Sequence, residues 1–218
     1  WWDYDEDGFP DLYVSNDEED RDRLYHNQQD GTFTEVGAKV LPYTPWHSRG
    51  ATVADLDSDG RLDLFCVDDA GATPSEAKRL HASAKANTAI LLGQRPPQHA
   101  QYVLYLNGGG KRVREVARLA NLPGAQGSWA PLIADFDHDG RSDIIITTGA
   151  ARPFADADLQ TNLGIHFQHN KTLWDFFEEQ SPLNIPNRAF TSRDYLQFED
   201  VSRAWGVDQF GMSYGGAY

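Results

Sequence analysis

One nine-residue pattern, Asp-x-Asp-x-Asp-Gly-x-x-Asp, occurs three times and limits what this chain can fold into more than any other feature. The copies run from Asp3 through Asp5, Asp7 and Gly8 to Asp11, from Asp55 through Asp57, Asp59 and Gly60 to Asp63, and from Asp135 through Asp137, Asp139 and Gly140 to Asp143. Twelve of the 24 Asp residues therefore sit in three short turns at fixed offsets. Four carboxylates crowded into one turn repel one another. A hard divalent cation removes the conflict. Asp at positions 1, 3 and 5 can aim oxygens at one centre, and Gly at position 6 permits the sharp turn. The Asp at position 9 and the backbone carbonyl at position 7, which belongs to Phe9, Arg61 and Arg141, can complete a Ca²⁺ shell of roughly six to eight oxygens. The competing reading is an acidic turn that binds no metal.

An EF-hand opens in the same way but closes its shell with a bidentate Glu at position 12. Here position 12 is Val14, Cys66 and Ile146, each inside an apolar run: Leu12 to Val14, Leu64 to Val67, and Ile144 to Thr148. Those runs read as β-strands. Apolar or small residues also lead into the second and third loops, at Gly50 to Ala54 and Ala130 to Ala134. Each loop is thus expected to tie one strand to the next.

The formal net charge is −14. Three bound Ca²⁺ ions would bring −14 to −8 by adding three times two charges, and such a surface argues against nucleic acid as a partner. The single cysteine, Cys66, excludes an intrachain disulfide, and its place in a strand marks it as a small buried hydrophobe. No apolar run approaches the length of a membrane span. The chain opens at Trp1-Trp2 without an initiator Met and reads as a processed product or an excerpt. Loops of this kind bind calcium weakly enough to need the millimolar ion of an extracellular, cell-surface or periplasmic setting.

What accompanies each loop sets the architecture. After the first come Arg23-Leu24-Tyr25-His26-Asn27, an Asp30-Gly31 turn, and Thr32 to Val36, which read as a hairpin. Val103 to Asn107 and Val113 to Val116 match it after the second loop, and Phe198 to Val201 keeps only the tail of it after the third. Each repeat is then a loop hairpin followed by a second hairpin, and four-stranded antiparallel units in series suggest propeller blades, an all-β architecture.

Asp-Gly-Phe-Pro-Asp-Leu-Tyr-Val at 7–14, Arg-Leu-Tyr-His-Asn at 23–27 and Asp-Gly-Thr-Phe-Thr-Glu-Val at 30–36 resemble FG-GAP/VCBS repeats. These are the calcium-binding blades of integrin α-chain propellers and of secreted bacterial and cartilage acidic proteins. The resemblance implies a β-propeller, usually of about seven blades, that serves adhesion or scaffolding, and a metal-binding role for the three Asp quartets with the position-7 carbonyls. Three repeats are fewer than the roughly four to eight blades that close a ring.

The repeats are expected at about 1–52, 53–132 and 133–218, within one domain that is a single or partial propeller. Read end to start, Gly216-Ala217-Tyr218 followed by Trp1-Trp2-Asp3 keeps the register of Gly50 to Asp55, so the C-terminal residues have the pattern of the strand the first repeat lacks. Two explanations stand: a longer repeat protein cut at equivalent points, or completion of one chain by another copy in a ring or filament. Insertions are expected at about 70–98 and 149–196. The first contains a capping box at Thr73-Pro74-Ser75-Glu76 that predicts a short helix, and the second contains Lys171 to Glu179, which predicts another with an aromatic face.

No His-Glu-x-x-His, Gly-x-Ser-x-Gly or phosphate-loop signature occurs. His166 and His169 lie three apart, His81 falls in the first predicted helix, and His138 occupies position 4 of the third loop, where side chains face solvent. Asn170-Lys171-Thr172 is a glycosylation sequon. Two function classes follow. One is a non-enzymatic extracellular calcium-binding module whose faces or insertions bind protein or glycan. The alternative is a calcium-dependent, lyase-like polysaccharide-active enzyme with catalytic residues in the insertions, where Arg152, His166, His169 and Lys171 are near in order.

Overall fold

The apolar run behind each Asp-rich loop becomes a strand, because β-branched and aromatic side chains pack well on a pleated surface. The computed structural model describes residues 1–218 apart from 19, 74, 77–79, 81–92, 94, 111, 152–155, 157, 160–171 and 218. Strands β1 (Leu12–Val14), β2 (Arg23–Asn27) and β3 (Phe33–Glu35) make an antiparallel sheet in that order, followed by the one-turn helix α1 (Gly37–Val40). Next come β4 (Thr44–Pro45), β5 (Ser48–Ala54), β6 (Asp63–Asp68), β7 (Gln98–His99), β8 (Val103–Asn107) and β9 (Val113–Glu115). The second sheet has the order β5-β6-β8-β9, and β7 pairs with β4 in parallel. The last part contains β10 (Ser128–Ala134), β11 (Asp143–Thr148), helix α2 (Leu173–Glu178), β12 (Ile185–Pro186), β13 (Arg188–Asp194), β14 (Gln197–Asp200) and β15 (Phe210–Gly211). The third sheet is β10-β11-β13-β14, and β12 pairs with β15.

The chain is therefore all-β with little helix, and its units repeat down to single hydrogen bonds. Val36, Val116 and Val201 each donate a backbone N–H to the next-to-last strand of their sheet, at Leu24 O (2.8 Å), Leu104 O (2.9 Å) and Ala189 O (2.9 Å). Each of these valines then starts one helical turn. β5 and β10 carry the same register shift, between Ser48 and Gly50 and between Ser128 and Ala130.

One expectation is met and one needs correction. The first sheet has three strands, lacking its leading strand as the sequence implies, since Trp2 pairs with Asp11 only as an isolated bridge. That bridge occupies the place of the Ala54–Asp63 and Ala134–Asp143 pairs that close the second and third hairpins. In addition, β13 falls inside the span 149–196 expected to be an insertion, yet it is the third strand of its sheet. Arg-Ala-Phe-Thr-Ser-Arg-Asp alternates too weakly in hydrophobicity to announce a strand. Of the two predicted helices, α2 forms within the second, capped by Thr172 and Asp175, with Phe176 buried and Trp174 exposed. The first shows its capping box, with Thr73 N–H on Glu76 Oε2 (3.0 Å) and Glu76 N–H on Thr73 Oγ1 (3.2 Å). The residues after that box lie mostly outside the described ones.

The two-residue period of the middle sheet sends alternate side chains into two different cores. Leu64, Cys66, Val103 and Tyr105 pack on Trp2, Tyr4, Leu24, Val40 and Leu41 of the first unit. Phe65, Val67, Tyr102, Leu104 and Leu106 pack on Ile144, Ile146, Phe190 and Phe198 of the third. A fully buried side chain of this size contributes roughly 1.5–3 kcal/mol, so each blade-to-blade face is a hydrophobic core of its own. Among the described residues the three sheets pack in a row without a closed ring. Residues 213–217 lie against the third sheet of the same chain: Ser213 N–H bonds Thr148 O at 2.9 Å, and a Cβ on Gly216 would sit 2.5 Å from Leu132 Cδ1.

Inner strands of neighbouring blades run side by side, as Thr52 Oγ1 bonds Pro131 O at 3.0 Å. A Cβ on Gly50 would lie 2.5 Å from Trp129 O, so the backbones meet where no side chain fits. Gly50→Ala is expected to destabilise by about 1–3 kcal/mol, the usual cost of overpacking. Urea unfolding checks it, with a lower midpoint at unchanged slope.

Polar groups are also buried between the first two blades. Asp22 and Asp68 are both 0% exposed. Asp22 accepts Asn16 N–H (2.8 Å), Ser48 Oγ (2.9 Å) and the Tyr13 hydroxyl. Asp68 Oδ2 accepts the N–H groups of Trp46 (2.6 Å) and His47 (2.9 Å). Burial pushes the Asp68 carboxyl up to about 7. Burial works against His47, but its hydrogen bond to Asp17, and then the charge of Asp68, raise its pKa. Both groups hold protons more tightly folded than unfolded, so the stability they contribute is complete in acid. For Asp68 it is lost as pH rises from about 4, its ordinary value, towards 7, with a slope of at most about 1.4 kcal/mol per pH unit. Asp68→Asn removes that slope. Its melting temperature relative to wild type, in saturating calcium, is expected to rise between pH 5 and pH 8; a constant difference would show that Asp68 holds no such proton.

Candidate metal centre

The three Asp-rich turns share one backbone path. Position 4 is left-handed in each, at Glu6 (φ 58°), Ser58 (60°) and His138 (62°), and so is the glycine at position 6, Gly8 (86°), Gly60 (90°) and Gly140 (88°). Two such residues within three positions curl the chain around its own carboxylates. The position-1 carboxylate takes the N–H groups of positions 5 and 6: Asp3 from Asp7 and Gly8 at 3.1 and 3.0 Å, Asp55 from Asp59 and Gly60 at 3.1 and 2.9 Å, Asp135 from Asp139 and Gly140 at 3.0 and 2.9 Å. The position-5 carboxylates of Asp7, Asp59 and Asp139 each accept the N–H of the position-7 residue, Phe9, Arg61 or Arg141, at 2.9 Å.

The position-9 carboxylates of Asp11, Asp63 and Asp143 are 0% exposed and join each loop to its sheet. One oxygen accepts the position-2 N–H, from Tyr4 (3.2 Å), Leu56 (2.9 Å) or Phe136 (2.9 Å). The other accepts the N–H of a residue on the next-to-last strand of its sheet, Asn27 (2.8 Å), Asn107 (2.9 Å) or Ser192 (3.3 Å). In the second and third loops the position-7 arginines add a strap: Arg61 Nε donates to Asn107 O and Arg141 Nε to Ser192 O, both at 2.9 Å. Their guanidinium groups also pair with Asp59 and Asp139.

The carboxylates converge at positions 1, 3 and 9. Oxygens of Asp3, Asp5 and Asp11 lie within 4.8 Å of one another, as do those of Asp55, Asp57 and Asp63, and of Asp135, Asp137 and Asp143. A calcium ion bound at about 2.3–2.6 Å fits among oxygens so spaced. The orphaned oxygen of this set points the same way: Asp5 Oδ1 is buried and has no hydrogen-bond partner among the described residues. Burial raises the pKa values of Asp11 and Asp57, for Asp57 with the added charge of Asp59, and pushes Asp63 up to about 7. Desolvated carboxylates beside like charges resist ionisation, and a divalent cation reverses that cost. The residues present therefore fit calcium, which would supply charge neutralisation and a fixed centre for each hairpin.

Positions 5 and 7 behave differently from the expectation of a uniform shell. Asp59 and Asp139 are engaged by the arginines, whereas Asp7 is held below the usual carboxylate range by the Phe9 N–H and then by Gln29 Nε2 at 2.9 Å. Sequence reasoning also missed three side chains at these loops. His26 reaches Asp11 Oδ1 at 3.1 Å, Tyr195 reaches from the β13–β14 hairpin to Asp57 Oδ2 at 3.4 Å, and Arg61 approaches Glu6 of the first loop at 3.9 Å. The Leu-Tyr-His-Asn and Leu-Tyr-Leu-Asn pieces signal the first of these, since both asparagines clasp a position-9 Asp. His138 is exposed at position 4. Arg152, His166, His169, Lys171, His81 and Asn170 lie outside the described residues.

A family model described as an FG-GAP-like repeat matches residues 3–66, from the first loop through the second and into β6. No curated protein matches the chain.

Proposed function

We propose that this chain, which carries a repeat of the FG-GAP family, is an extracellular calcium-binding structural and adhesion module. Three Ca²⁺ ions, one per Asp-rich loop, hold the blade hairpins, and the exposed faces or insertions bind a protein or glycan partner or further copies of the chain. The observation that carries this reading is the threefold recurrence of one carboxylate geometry at positions 1, 3 and 9. The module works without catalysis: the carboxylates nearest one another are committed to the loops and to the strands behind them. Among the described residues no helix is long and apolar enough to cross a membrane.

Equilibrium dialysis tests the reading. Wild type should take up three calcium ions per chain at millimolar concentration, and Asp57→Ala should take up two. Uptake of none would end it.

A further inference from the structure

A cavity of about 500 Å³, lined by no residue of the Asp-rich loops, lies beside the second blade between the chain leaving β6, the residues entering β8 and the turn after β9. That volume is within the range of small-molecule sites, about 300–1,000 Å³. Gln101, Arg118 and Asn121 give it polar groups, and Leu122 and Pro123 an apolar wall. One short turn carries two of the polar groups: Asn121 is left-handed (φ 59°) and its N–H bonds Arg118 O at 3.3 Å. Both amides are held by their nitrogens, since Gln101 Nε2 donates to the Tyr43 hydroxyl and Asn121 Nδ2 to Phe198 O at 3.1 Å. Each therefore keeps its carbonyl oxygen, an acceptor, unbonded among the described residues. Arg118 is the opposite case. Its guanidinium makes no ion pair or hydrogen bond among the described residues. Glu115 on the preceding strand has both oxygens in use: Oε1 accepts Leu104 N–H (3.3 Å) and Ala117 N–H (2.7 Å), and Oε2 accepts the Tyr43 hydroxyl. The cavity thus offers one cationic donor and two acceptors that the fold itself does not consume.

We propose that this cavity is a glycan subsite for a single sugar acid, a uronic acid residue whose carboxylate pairs with Arg118. Its hydroxyls donate to Gln101 Oε1 and Asn121 Oδ1, and its apolar ring face lies on Leu122 and Pro123. This deepens the glycan-partner reading given above and rests on it, without using the cation sites. A guanidinium takes a carboxylate through two parallel hydrogen bonds. Neutral sugars supply hydroxyl donors but no anion, and a plain carboxylate supplies the anion but no donors. A polyanion fits less well, because one guanidinium offsets little of the repulsion from a chain of net charge −14. The site therefore selects an isolated acidic sugar in an otherwise neutral glycan.

The test follows backbone amide shifts of the whole isotope-labelled chain, in saturating calcium, during titration with methyl glucuronide, methyl glucoside and acetate. Methyl glucuronide is expected to give saturable shifts at Gln101, Arg118 and Asn121 at millimolar concentration, and the other two to bind at least about tenfold more weakly. Arg118→Gln, at an exposed position, should weaken the glucuronide by at least about tenfold, the lower end for losing a charge-assisted pair. Arg118→Lys should weaken it less, since the charge stays while the planar fork goes. Acetate binding as tightly as glucuronide would mark an arginine that takes any small anion. That result, shifts confined to the Asp-rich loops, or unaltered affinity in Arg118→Gln would each overturn the inference. If Arg118→Gln fails to fold, Arg118→Lys and the wild-type shift map decide. Calcium uptake at all three loops with no glucuronide binding would refute this subsite and leave the calcium module standing. No calcium uptake would instead refute the function proposed above whatever the sugar does, so the two failures are distinguishable.

Discussion

Excess EGTA is expected to lower the melting temperature of the protein by roughly 5–20 °C relative to millimolar calcium. Extracellular calcium modules have dissociation constants of about 10⁻⁴–10⁻³ M. At about 2 mM free ion each site then adds about 0.6–2 kcal/mol by mass action, and three sites add about 2–5 kcal/mol. For a chain of this size, 1 kcal/mol moves the midpoint by about 2–4 °C. The direction follows from the loops themselves. Without a cation, Asp55, Asp57 and Asp63 crowd one turn while burial already opposes ionisation of Asp57 and Asp63. Asp57→Ala, which removes one site, should lose about a third of the calcium effect. Calorimetry with and without chelator checks both, and coincident transitions would show that the ions hold nothing in place.

The strands beside the loops were legible because their signals are local. Leu12 to Val14, Leu64 to Val67 and Ile144 to Thr148 are apolar and start at a fixed distance from an Asp-Gly pair, so both their type and their place can be read from the chain. What escaped depends on tertiary partners. β13 is recognised as a strand by its pairing of Ala189 with Ile145 and of Thr191 with Glu199, not by its own composition. Helix α1 is one turn long, below the length at which periodicity speaks. The spacing of the Asp quartets marked the cation sites as equivalent, but Phe9, His26 and the two arginines make them unequal. That inequality arises across strands: His26 and Asp11 are 15 residues apart in sequence and 3.1 Å apart in space. The division of labour within each quartet was equally hidden, because the pattern gives position 9 the same letter as position 1 while only position 9 is fully enclosed.

Enclosure makes Asp63→Ala the most damaging single change expected in a loop, and the damage should persist without calcium. Asp63 Oδ2 satisfies Leu56 N–H and Oδ1 satisfies Asn107 N–H, both at 2.9 Å in the interior. Alanine strands two donors that water reaches poorly, at about 1–3 kcal/mol each, so a loss of about 2–6 kcal/mol is expected. Asp57→Ala in EGTA should cost far less, since Asp57 Oδ1 takes only a 3.2 Å bond from Asp59 within the loop and Oδ2 a 3.4 Å bond from the Tyr195 hydroxyl. Acidity separates the two further. Burial raises Asp63 to about 7 in the metal-free chain, so the folded state holds its proton more tightly than the unfolded state does. Metal-free wild type should gain stability from this group as pH falls from about 7 towards 4, and Asp63→Ala, lacking the group, should not. The gap between the two in EGTA therefore widens from pH 7 to pH 5. Equal and mild losses for Asp57→Ala and Asp63→Ala in chelator would mean that the ninth residue of each loop serves the cation alone. Unequal losses would mean that the same carboxylate both anchors the loop to the third strand and waits for the ion, so that metal binding acts directly on the hydrogen bonds that join the loop to its blade.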